Sequence, residues 1–280
     1  MNIVASERAP DAAKVEHRHK AAWKAPGTVE TIALRALALV VILGVWEGVV
    51  RMELLSDFFI SRPVSVGRQL AEWLFIKGTI WPHAAVTLQE VLLGLAGGAS
   101  FGVVSGFALG MWPRLNVALD PYIMGLYGMP RAALAPLFIM WFGIGMESKA
   151  ILAGFVTYFV LLTNTCAGVK SVDADLVDAV KTMGGRGTFL LRKVVLPSCA
   201  PWILSGLRLG LTFSLTGAVF AEMIAAERGM GWIIARASGL FDTTSVFAGI
   251  FVLAVVAMVL NEGMKKLERH LLRWRGEVIL

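Results

Sequence analysis

Residues 171–197 read S-V-D-A-D-L-V-D-A-V-K-T-M-G-G-R-G-T-F-L-L-R-K-V-V-L-P. Asp173 has the short acceptor side chain of a helix N-cap, and Asp175 adds negative charge in a first turn, where the macrodipole favours it. Leu176, Val177, Ala179, Val180 and Met183 then recur on one helical face. Gly184 and Gly185 supply the stop, because glycine takes a positive φ without steric penalty. A second short helix is expected over 188–195, with Phe189, Leu190 and Leu191 beside Arg192 and Lys193, and Pro197 opening the next segment. The stretch is thus a helix–turn–helix with one apolar face and a glycine corner.

What flanks it is apolar. Of 280 residues, 57% are hydrophobic and 16% charged, with a mean hydropathy of +0.71; soluble domains are about half apolar and about a quarter charged. Six apolar segments are readable, at 32–50, 84–111, 118–142, 149–169, 198–224 and 244–260. Each approaches the ~20 residues a helix needs to cross a ~30 Å hydrocarbon core. Helices are the expected form, since backbone polar groups must be satisfied within the segment there. The fold expected is therefore an all-α membrane domain with six transmembrane helices, the third interrupted by Pro121, Pro130 and Pro136.

Charge orients it. With the N-terminus inside, the inner segments carry sixteen Lys and Arg, among them Arg8, Lys14, Arg114, Lys181, Arg192, Lys265 and Arg269. The outer segments hold six: Arg51, Arg62, Arg68, Lys77, Arg228 and Arg236. That asymmetry is the one expected of N-in, C-in. The organisation expected is a disordered cytoplasmic tail (1–30), a first span with an outer amphipathic segment (31–83), a five-helix core including 171–197 (84–268), and a cytoplasmic tail (269–280). In the outer segment, Val66, Leu70 and Trp73 share one face of a helix expected over 64–75.

Several chemistries find no support. The formal charge of +6 is accounted for by residues beside spans, and no base-reading motif accompanies it, so no nucleic acid is expected. Cys166 and Cys199 lie in or beside apolar segments, and no Cys/His spacing points to a metal. There is no G-x4-G-K-[ST] and no H-E-x-x-H, so neither ATP hydrolysis nor any other catalysis by this chain is expected, and no cofactor.

Within 171–197, the spacing D-A-V-x3-G-x9-V-x-L-P resembles the EAA signature of ABC importer permeases, E-A-A-x3-G-x9-I-x-L-P. Asp178, Ala179, Gly184, Val194, Leu196 and Pro197 fall on its positions, with Asp for Glu, Val180 for the second Ala and Val194 for Ile. The likeness extends along the chain. R-A-A-L-A-P-L-F-I-M-W-F-G-I-G at 131–145 is similar to P-x-x-A-L-x-P-L-x-x-x-W-F-G-x-G of the nitrate/sulfonate/taurine branch, as are L-L-T-N-T-C-A-G-V-K-S-V-D at 161–173, G-L-R-L-G-L at 206–211 and A-E-M-I at 221–224. Glu90 departs from it, standing where relatives often carry Arg.

The resemblance implies a type I permease fold in a bacterial inner membrane and a pathway shared by a permease homodimer. It also implies a cytosolic ATPase dimer docked on the 171–197 loop, and a periplasmic or lipoprotein substrate-binding protein outside. The docking residues it implies are Asp178, Ala179, Gly184, Gly185, Arg186, Leu196 and Pro197. Related permeases carry small anions such as nitrate, sulfonates, taurine or aromatic acids.

Ionisable or polar groups inside spans are pathway candidates. Arg131 follows Pro130 in mid-span, and either offers a cation to an anionic cargo or pairs with a neighbouring helix. Met129, Asn164 and Glu222 join it. Gly94, Gly98, Gly102, Gly106 and Gly110 form a small-residue ladder that lets helices approach closely. The alternative, an ion-gradient-driven secondary transporter or channel, calls for paired acids in the membrane core, whereas the carboxylates here fall mostly at span ends.

Overall fold

The computed structural model describes residues 28–273. Helices α1 (Thr28–Arg51), α2 (Pro63–Ala71), α3 (Ile80–Met111), α4 (Pro113–Tyr127), α5 (Arg131–Phe142) and α6 (Met146–Lys170) lead into the loop helices α7 (Ala174–Thr182) and α8 (Thr188–Leu190). Then come α9 (Leu196–Ile224), α10 (Met230–Gly239) and α11 (Thr243–Leu271). Among the described residues, five helices are long and apolar enough to cross a membrane: Val29–Arg51, Ile80–Met111, Met146–Lys170, Thr188–Ile224 and Thr243–Leu271.

The third expected span differs: in place of one helix over 118–142 there are two, α4 and α5, neither of membrane length. The break falls at Gly128-Met129-Pro130. A proline disfavours helical geometry in the residue before it and donates no N–H, and Pro130 takes ψ 107°. Pro121 and Pro136 sit within α4 and α5 without ending them.

The core is a packed triplet, α3–α6–α9, and its register is written in glycine. A Cβ added at Gly94 would lie 2.6 Å from Ala153 Cβ; at Gly102, 2.6 Å from the Tyr158 carbonyl; at Gly106, 2.6 Å from that of Leu162; at Gly110, 2.5 Å from Val169 Cβ. Residue numbers rise together on both helices, so α3 and α6 run parallel. Against α9 they run oppositely: Gly206 faces Asn164, Gly210 faces Thr157 and Gly217 faces Ala153. Because α3 and α6 are parallel, the chain between them must return from one end of the bundle to the other. It does so as α4 plus α5, with α4 near Cys166 (Asn116 accepts from its Sγ, 3.3 Å) and α5 near Leu152 and Ala221.

At the bundle's edge α2 continues as a π turn over Glu72–Ile76, in agreement with the helix expected at 64–75. The apolar stretch of α1 is unburied within this chain, and α1 leans on α11 through Trp46, whose ring lies 5.3 Å from Phe247. The expected 1–30 tail lies outside the described residues except for Thr28–Glu30, which are helical. The expected boundaries at 83/84 and 268/269 fall inside α3 and α11.

Candidate functional site

The 171–197 loop is built as its residues dictate. Asp173 caps α7, its side chain accepting from the Asp175 N–H at 2.9 Å. The C-terminus closes as a Schellman motif: Gly184 N donates to Lys181 O and Gly185 N to Val180 O, both at 2.9 Å, with Gly184 at φ 87°. The two glycines divide the work. Nothing in this chain lies within 4 Å of a Cβ at Gly184, where the positive φ is what calls for glycine; at Gly185 one would lie 2.7 Å from Val180 Cγ1 and 3.0 Å from Phe189 Cδ1, so Gly185 closes the corner between α7 and α8.

The expected second helix, 188–195, does not stop before Pro197. It passes through a π turn, Leu191–Val195, straight into α9. Pro197 lacks the N–H for the i→i−4 bond, and the i→i−5 bond from Leu196 N to Leu191 O takes up the register. Asp178, Ala179, Gly184, Gly185 and Arg186 share the hairpin, while Leu196 and Pro197 stand at the foot of α9. The root is firm: Val169, Val195 and Cys199 form a buried cluster with Phe107, Val172, Leu191 and Ile203 around it. The tip is bare, with Leu176 47%, Met183 87% and Phe189 54% exposed. A buried root under an exposed apolar tip suits a hairpin that meets a second protein and passes its motion to α6 and α9.

The four pathway candidates lie at different depths. Met129 is 43% exposed in the mid-bundle break. Arg131 opens α5 just beyond it, and its side chain lies outside the described residues. Asn164 turns inward, its Nδ2 donating to Val160 O at 2.8 Å. Glu222, 1% exposed, sits at the opposite end with its oxygens accepting from Thr87 Oγ1 and Gly231 N, each at 2.6 Å. Beside it lies Glu90, equally buried. The carboxylates do fall at span ends, and folding brings two of them together, from segments 132 residues apart in sequence. Buried Lys149 belongs to the same neighbourhood, donating to the carbonyls of Ile144 (2.5 Å) and Gly145 (2.8 Å). None of this pairing has a short-range sequence signature.

Sequence reasoning also missed a face of α9. Ser205, Thr212 and Thr216 are exposed along one stripe with Trp202, Leu209 and Phe220. Thr216 Oγ1 returns to Thr212 O at 2.9 Å, which lets a hydroxyl sit in an apolar span. The three-to-four spacing was present, but seven-residue periodicity in an apolar helix does not say which side the neighbours leave open.

The described residues thus form membrane-length helices around a glycine-packed core, with a firmly rooted, exposed apolar hairpin at one end. Residues 98–273 match the family described as binding-protein-dependent transport system inner membrane component, and the chain belongs to that family. It is 35% identical over 266 residues to the taurine transport system permease protein TauC of Escherichia coli (strain K12), covering 94% of this chain and 96% of that one. It is 32% identical over 258 residues to the putative aliphatic sulfonates transport permease protein SsuC of Bacillus subtilis (strain 168), covering 92% and 93%. Its fold is that of the inward facing MetNI methionine ABC transporter, with a TM-score of 0.62 at 15% identity over 71% of this chain and 97% of that one. The chain is a multi-pass inner-membrane permease subunit of an ABC importer; it is non-catalytic, and a separate ATPase subunit hydrolyses the ATP.

Proposed function

We propose that this permease carries a small sulfonate-type anion and takes its driving motion from an ATPase docked on the 171–197 hairpin. The observation that carries the coupling is the hairpin's construction: a capped, apolar, exposed tip fixed to the buried ends of α6 and α9. A short amphipathic helix fills a groove with a few anchors, and Leu176, Met183 and Phe189 are the anchors available, with Asp178, Ala179 and Arg186 around them and Leu196 and Pro197 setting the exit into α9.

The parallel run of α3 and α6 supports six crossings, with α4 and α5 together making the third, N-in and C-in. In that topology Met129, Arg131 and the N-terminus of α5 lie at mid-depth, where a cation and a helix N-terminus both favour an anion. The relatives named for taurine and aliphatic sulfonates agree with that cargo. The hydroxyl stripe of α9 faces away from the chain's own core, and the pathway runs along it between two copies. Asn164 packs against the core-facing Gly206 of α9, off that stripe, and drops out of the route.

Uptake of radiolabelled taurine and of a short alkanesulfonate into proteoliposomes holding the permease, its ATPase and its binding protein tests this. Uptake that needs internal-face ATP and ignores proton and sodium ionophores is expected. Arg131→Gln is expected to raise the half-saturating taurine concentration at least about tenfold, the scale of one lost charge-assisted contact. Ionophore-sensitive uptake without ATP would contradict the reading.

A further inference from the structure

At the end of the bundle that charge assigns to the outside, the first amides of α10 are held by side chains from two other elements. Gly229 N donates to His83 Nδ1 (3.1 Å), Met230 N to Thr87 Oγ1 (2.9 Å) and Gly231 N to Glu222 Oε2 (2.6 Å). Thr87 Oγ1 donates in turn to Glu222 Oε1 at 2.6 Å. The result ties α3 to α9 and both to α10.

Two glycines make room for it. Gly229 has φ 120°, and a Cβ there would run onto the Glu222 carboxylate; at Gly231 one would lie 2.9 Å from Glu222 Cβ. The segment is covered by a stack in which His83 lies parallel to Trp232 at 5.2 Å and Arg236 sits 5.1 Å over the same ring. The first amides of a helix have no partner within it, so a buried helix start needs acceptors from outside. With both of its oxygens occupied and 1% exposure, Glu222 is ill placed to touch cargo.

We propose that Glu222, with Thr87 and His83, is an outer latch: it fixes α10 on the ends of α3 and α9, so that the three move as one body and α10 is presented in a set attitude to the binding protein. Glu222 is then a positioning residue. The inference rests on the reading of the chain as the membrane subunit of a binding-protein-dependent importer.

The test uses the full permease–ATPase complex in lipid nanodiscs, with Glu222→Ala, Thr87→Val and Thr87→Ser. Hydrogen–deuterium exchange at the amides of 229–231 is expected to quicken by about 10- to 100-fold in the first two, the scale of one buried amide left without its acceptor, and to stay at the wild-type rate in Thr87→Ser, which keeps the hydroxyl. The concentration of taurine-loaded binding protein that half-maximally stimulates ATP hydrolysis is expected to rise by a larger factor than the maximal rate falls. Unchanged exchange in both Glu222→Ala and Thr87→Val would overturn the latch. Faster exchange with an unshifted half-stimulating concentration, or a loss confined to the maximal rate, would overturn the positioning role. If Glu222→Ala fails to assemble, the Thr87 pair decides. Failure of the binding protein to stimulate the wild type would instead contradict the importer reading, and the exchange data would still decide whether the latch exists.

Discussion

Gly102→Ala is expected to destabilise the bundle although alanine is the better helix former. The added carbon would stand 2.6 Å from the Tyr158 carbonyl oxygen and 2.8 Å from Leu161 Cβ. Ordinary contacts of these kinds are about 3.3–3.6 Å and about 3.5–4.0 Å, so α3 and α6 would have to part by roughly 0.7–1 Å. Overpacking of that order costs about 1–3 kcal/mol. Gly97, five residues earlier on the same helix, has nothing within 4 Å of its Cβ position. Gly97→Ala therefore keeps the propensity gain of up to about 1 kcal/mol without the clash. Since the propensity term is common to both, the two variants should differ by about 1–3 kcal/mol, or several °C at about 2–4 °C per kcal/mol. Thermal unfolding of purified protein in one detergent measures it. If Gly102→Ala melts at or above Gly97→Ala, the close parallel packing of α3 on α6 is wrong.

Three further outcomes are expected. Asp173→Ala removes the α7 cap at a cost of about 1 kcal/mol, visible as faster amide exchange over α7 with the global melting temperature unchanged. Glu268→Gln breaks the pair with Arg208 that ties α11 to α9, where Glu268 is 13% exposed; Glu262→Gln loosens only exposed pairs within α11, with Lys265 and Arg269, each at 3.6 Å. The first should cost about 1–3 kcal/mol and the second under about 0.5 in thermal unfolding. Thr212→Leu, on the open stripe of α9, should lower taurine uptake at least about tenfold, roughly one lost polar contact, with assembly intact by size-exclusion chromatography; normal uptake would move the pathway off that face.

Much of this architecture was legible because it is local. The Asp173 cap, the glycine stop, the apolar face of α7 and the ladder from Gly94 to Gly110 each follow from spacing along one helix, and all are observed. The break at Gly128–Pro130 was legible as a proline in a span, but whether a helix bends or ends there depends on what its neighbours supply, so two helices were read as one. The passage of 188–195 into α9 was hidden for a related reason: Pro197 marks a helix start by rule, and only the π turn before it lets the helix run through. The Glu90–Glu222 neighbourhood and the latch on α10 depend on which spans are adjacent, and no periodicity within a span carries that. Glu222 was singled out for being an acid in a membrane, which was enough to find the residue and too little to find its role.

The ATPase is proposed to hold the permease at the bare tip of the 171–197 hairpin. Leu176→Glu/Met183→Glu changes two side chains that are 47% and 87% exposed; it keeps the Asp173 side-chain cap and, at the C-cap Met183, the backbone N–H that closes α7, so the bundle should melt as wild type does. Copurification of the ATPase on the tagged permease from solubilised membranes is expected to fall at least about tenfold, one to two anchors' worth of burial. Stoichiometric recovery of the ATPase with that variant would contradict the account.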